Sequence, residues 1–137
     1  MTQSRPDSGF TLIEILVVVI ILAALAGMVL PRVIPRADEA RRDIARGEIA
    51  GISTALNFFR LDVGRYPSTE EGLAALMASP SGGGRWKGPY LEKRPDDPWS
   101  KPYAYRYPGS HNPSGFDVWS LGPDGQEATQ DDVGNWE

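Results

Sequence analysis

Residues 9–30 read Gly-Phe-Thr-Leu-Ile-Glu-Ile-Leu-Val-Val-Val-Ile-Ile-Leu-Ala-Ala-Leu-Ala-Gly-Met-Val-Leu, and how this stretch is read decides the organisation of the whole chain. From Ile15 to Leu30 there is no charge and no strong polar group. Counted from Phe10, the run is about 21 residues; as an α-helix it spans roughly 31 Å, close to the thickness of a bilayer core. A secretory signal peptide is the natural rival. It fits poorly, because Arg5 is offset by Asp7 and Gly27-Met28-Val29-Leu30-Pro31 holds no small-x-small cleavage site. A cut ahead of the apolar run, between Gly9 and Phe10, accounts for the segment better. The division expected is a leader over residues 1–9, a transmembrane and assembly helix over 10–33, and a globular domain over 34–137.

Glu14 resists a reading of this segment as a plain anchor. A carboxylate within the apolar run costs on the order of 2.5–3.5 kcal/mol on insertion scales, so it calls for a partner or a task. A cut after Gly9 creates an α-amino group on Phe10, one helical turn from Glu14, and a neighbouring copy could offer the same amine. Either pairing would be strong in a helix bundle of low dielectric and would fix axial register between copies. The plainer alternative leaves Glu14 at the headgroup level without a partner. The string Gly9-Phe10-Thr11-Leu12-Ile13-Glu14, followed by an apolar helix, resembles the type IV pilin and pseudopilin class. The resemblance implies that a prepilin peptidase cuts after Gly9 and methylates the new N-terminal Phe10, and that Glu14 serves in assembly. Asp7 is a departure, since leaders of this class are usually basic.

Beyond the apolar run, Pro31 and Pro35 predict a kink or local melting between Gly27 and Pro35. A helix then resumes: Ala45, Ile49, Ile52, Leu56, Phe59 and Val63 recur at alternating steps of four and three, which is one helical face. Ser68-Thr69-Glu70-Glu71 is a capping box that opens a short helix through Leu73, Leu76 and Met77. Ser81-Gly82-Gly83-Gly84 reads as a loop; without a following Lys-Ser/Thr and a preceding strand, it is no phosphate cradle. Tyr103, Tyr105 and Tyr107 alternate as on one strand, their rings expected against the long helix, and Phe116 to Ser120 reads as a second strand.

Composition narrows the function. The net charge is −4 and the last basic residue is Arg106, so nucleic-acid binding has no electrostatic footprint. There is no cysteine, and the one histidine, His111, reads as a solvated loop residue beside Asn112 and Pro113. Thiol and Ser-His-Asp nucleophile systems are thereby nearly ruled out. Glu70 with Glu71 and Asp96 with Asp97 are pairs a membrane-anchored hydrolase could use, but adjacent acids are common in turns.

From Asp117 to Glu137 there are six acidic residues and no lysine or arginine. Asp124 lies in a Pro-Asp-Gly turn, with Asp131 and Asp132 seven and eight residues on. Carboxylates gathered together repel unless a cation compensates, and hard oxygen ligands without His or Cys favour Ca²⁺. On composition, a metal loop and a solvated acidic loop stand about even. The segments Gly64–Leu73, Gly88–Leu91, Asp97–Trp99 and Ser120–Gly125 are similar to those of the major pseudopilin family of type II secretion. That resemblance, which covers nearly the entire chain, implies a calcium site using the side chains of Asp124, Asp131 and Asp132 and the main-chain oxygens of Leu121 and Thr129.

It also implies an α/β (α+β) pilin-like fold, a long N-terminal helix packed on a small antiparallel sheet. The function implied is a non-enzymatic subunit in the inner membrane, with its globular part in the periplasm. Its implied partners are further copies of itself in a pseudopilus, minor pseudopilins, prepilin peptidase and an inner-membrane assembly platform. A true type IV pilin or a minor pseudopilin is the rival within the class, but the usual C-terminal disulfide loop of adhesive pilins has no counterpart here, and the initiating minor subunit often lacks the glutamate that Glu14 supplies.

Overall fold

The computed structural model describes residues 9–80 and 84–137, with backbone only for 29–35. Residues 1–8 of the expected leader and 81–83 of the Ser81–Gly84 loop lie outside the described residues. One helix, α1, runs from Leu12 to Val63 over 52 residues. It continues through Pro31 and Pro35, so the melting expected there does not occur. Each proline removes one backbone donor, but long helical flanks on both sides propagate the ladder across the gap. The chain divides into two units, Met1–Asp38 and Glu39–Glu137.

Within the first unit, none of the large apolar side chains from Phe10 to Met28 is buried. Among the described residues no helix is long and apolar enough to cross a membrane. The apolar part of α1 with described side chains, Leu12 to Met28, falls short of the roughly 20 residues a span takes. Residues 29–33 of the expected span over 10–33 lie outside the residues with described side chains.

The second unit is built on the stripe the sequence predicts. Ala45, Ile49, Ile52, Leu56 and Phe59 are buried, with Ala55 beside them, and Val63 packs at the edge of the same cluster. The capping box forms: Ser68 N donates to Glu71 Oε2 (2.8 Å) and Glu71 N donates to Ser68 Oγ (3.1 Å). The element that follows is a five-residue 3-10 helix, Gly72–Leu76, shorter than the α-helix expected through Met77. Its Leu73, Ala75 and Leu76 join the core.

The sheet has three antiparallel strands in the order β1 (Ala104–Arg106), β2 (Asp117–Ser120), β3 (Val133–Gly134). Ala104 pairs with Trp119, and Trp119 with Gly134. β2 is central and buried along its whole length, which places a carboxylate (Asp117) and a hydroxyl (Ser120) in the interior. Only Ala104–Arg106 is strand, so Tyr103 and Tyr107 flank it. Tyr103 does reach α1, where its hydroxyl donates to Glu48; Tyr105 instead donates to the Pro67 carbonyl (2.8 Å), and Tyr107 packs on Tyr66. Burial raises the phenol pKa of Tyr103 and of Tyr105, so both stay neutral donors.

Candidate functional site

The predicted functional residues fall in two places, one in each unit. At the start of α1, Gly9 to Thr11 precede the first helical residue and Phe10 is 82% exposed. The Gly9–Phe10 bond therefore sits in non-helical, accessible chain. Glu14 turns back on the helix start: its Oε2 accepts from Thr11 N (3.4 Å), while Glu14 N donates to Thr11 Oγ1 (3.3 Å). This is a capping box written in Thr11-Leu12-Ile13-Glu14, a signal the apolar context hides. Both bonds are long and exposed, so the carboxylate stays available to a stronger cationic partner.

The second place is the loop after β2. Gly122 takes φ +64, and a Cβ there would collide with the Asp131 carbonyl. Glycine thus lets the backbone next to Leu121 close onto Asp131. Asp124 Oδ1 accepts from Gln126 N (2.9 Å), an Asx-type turn that holds the Pro-Asp-Gly segment. Asp132 Oδ2 accepts from Ala128 N (2.8 Å), whereas its Oδ1 is buried without a hydrogen-bond partner. Thr129 O accepts from Asp132 N (3.4 Å).

Asp131 behaves differently: its Oδ1 lies 3.3 Å from Arg42 Nη2 on α1, and the same nitrogen donates to Gln130 O. Among the described residues, no three His, Cys, Asp or Glu side chains converge as a metal-ligating group. The donor chemistry nevertheless fits a hard cation. All five predicted positions are in this loop, and an unpartnered buried carboxylate oxygen is a group that a cation would satisfy.

Three further acids, Glu71, Asp97 and Asp117, are structural. Glu71 takes two hydrogen bonds from Arg65 (2.6 and 2.7 Å). The Arg65 hydrogen bond, then that of Ser68 N, holds its carboxyl down at about 2. Asp97 is buried, accepting from Trp99 N, Lys101 N and Ser120 Oγ. Asp117 is also buried; burial opposes its charge, but the main-chain N–H groups of His111 and Asn112 outweigh it and lower the pKa. Neither Glu70–Glu71 nor Asp96–Asp97 is a free carboxylate pair of the kind a hydrolase needs.

His111 is also more than the solvated residue expected. Its ring stacks on Trp136 at 3.8 Å and its Nδ1 lies 3.2 Å from Asp117 Oδ2, pinning the C-terminus to β2. No local sequence signal carries that contact, because its partners lie 6 and 25 residues away.

Comparison with known proteins places these features. The family described as type II secretion system (T2SS), protein G matches residues 32–136, and the prokaryotic N-terminal methylation motif matches residues 4–30. The type II secretion system core protein G of Pseudomonas aeruginosa is 49% identical over 142 residues, covering 98% of this chain and 99% of its own. That of Aeromonas hydrophila is 39% identical, covering 98% and 95%. The crystal structure of the major pseudopilin from the type 2 secretion system of enterohaemorrhagic Escherichia coli superposes with a TM-score of 0.70 at 34% identity, over 77% of this chain and 91% of that one. With a long helix, a three-stranded sheet and a methylation-type N-terminus in one sequence, the chain belongs to the type II secretion system protein G family.

Proposed function

We infer that this chain is the major pseudopilin of a type II secretion system, a subunit that polymerises into a periplasmic pseudopilus and drives export of folded proteins through an outer-membrane secretin. One observation carries the polymer: α1 presents an apolar surface from Leu12 to Met28 that its own chain leaves uncovered. Prepilin peptidase cuts between Gly9 and Phe10 and methylates Phe10. Segment 10–33 then holds the subunit in the inner membrane, with 34–137 in the periplasm. An inner-membrane platform, together with minor pseudopilins, moves subunits from lipid into the filament.

Lipid and a helix bundle are similarly apolar, so burial alone gives that transfer little direction. The Glu14 carboxylate supplies direction, exchanging its long contacts with Thr11 for the Phe10 amine of a neighbouring copy. The chain performs no catalysis in this role. Cysteines placed in pairs along 16–25, so that each subunit can link to two neighbours, test the polymer: cross-linking in secreting cells should give a ladder of multimers. Monomer alone, with secretion intact, would contradict it.

The C-terminal loop is proposed as a calcium staple that replaces a disulfide. Side chains of Asp124, Asp131 and Asp132 and main-chain oxygens of Leu121 and Thr129 would hold the ion. Bound calcium would cancel the repulsion among the carboxylates and tie the loop to β2. What supports this is the donor set and the unpartnered Asp132 Oδ1.

A further inference from the structure

The segment 117–137 has no basic residue of its own, yet side chains from elsewhere in the second unit meet its charges. Arg106 pairs with Glu127 (2.8 Å), and Arg46 with Glu137 (3.0 Å) and Asp43 (2.9 Å). Lys101 Nζ donates to the carbonyls of Gly122 and Pro123, both at 3.2 Å. Arg42 differs from these, because the carboxylate it holds is one of the three that the proposed calcium loop requires. Asp124 and Asp132 are already fixed by loop amides, and Asp132 keeps one oxygen unpartnered. Two carboxylates stand ready, therefore, and the third is engaged.

We propose that Arg42 is a built-in competitor for calcium. In the metal-free protein its guanidinium occupies Asp131, and calcium binding transfers Asp131 from Arg42 to the ion. A divalent cation and a guanidinium repel each other, so sharing the Asp131 carboxylate at short range weakens the hold of each. The exchange frees a cationic side chain on α1 and links occupancy of the C-terminal loop to the helix that assembles the filament. This inference rests on the calcium reading above. The Arg42 and Asp131 side chains are 31% and 39% exposed, so solvent screens the pair and the competition is modest.

The test is a calorimetric titration with calcium chloride of the full chain in detergent micelles. R42Q is expected to bind calcium about two- to fivefold more tightly than wild type, the reciprocal of a partly exposed ion pair. R46Q removes the same charge one helical turn away, from a side chain that pairs with Asp43 and Glu137. It should change affinity by less than half as much. The ¹⁵Nε signal of Arg42 should shift on calcium addition, and that of Arg106 should not. If wild type and R42Q bind equally and the Arg42 signal stays still, the competition is overturned while the site stands. If wild type takes up no calcium, the site itself falls, and the coupling with it.

Discussion

The two parts of α1 use the same residue types in opposite ways. Over residues 12–28, Leu, Ile and Val cover every side of the helix and none is buried. Over residues 39–63, apolar residues keep to a stripe, and the 3-10 helix, Tyr103, Phe116, Val118 and Val133 close over it. An all-round apolar helix needs an apolar surrounding; an amphipathic one finds its partner within its own fold. The first part is therefore written for an apolar surrounding outside its own chain, and the second for the globular domain. Ile44, Phe58 and Leu61 are the exceptions, exposed on the second part and open to contact beyond the subunit.

Substitutions should separate the two parts. Phe59→Ala removes a fully buried ring and should cost about 3–5 kcal/mol, read as a large fall in the melting temperature of the globular unit. If that melting temperature were unchanged, the stripe would not be the core. Calcium comes next: chelation with EGTA should remove about 2.7 kcal/mol if the ion had been present at 100 times its Kd, and superimposable melts would refute the staple.

Glu71→Gln is smaller, about 1 kcal/mol at pH 7, because the Arg65 partner is half exposed and screened. The sign follows from the lowered carboxyl. Its stabilisation is complete above the unfolded value near 4.5 and is lost as pH falls through about 2, so the gap between variant and wild type should close over that window. A gap independent of pH would assign the effect to packing. Ile20→Ala, on the uncovered run, should leave the globular unit's melting within about 0.5 kcal/mol of wild type.

What was legible in the sequence follows the same division. The core stripe, the capping box at Ser68 and the motif from Gly9 to Glu14 were readable because each depends on residues within a turn or two of one another. β3 was not, since two residues, Val133 and Gly134, are strand only because β2 lies beside them. The same holds for Asp97, which the Ser120 hydroxyl reaches from 23 residues on, and for His111, held by Trp136. In the acidic loop the sequence located every acid that the structure places there. It carried no sign that Asp131 would turn to Arg42, a residue 89 positions away.

Glu14 is proposed to make an apolar helix into an assembly device, and the direct test is Glu14→Ala. In cells that carry the full chain with this substitution, membrane-fraction abundance, filament formation and export of a secreted substrate are measured side by side. Membrane insertion and the melt of the globular unit should be normal, with filaments and export lost. Filaments and export at wild-type levels would contradict it.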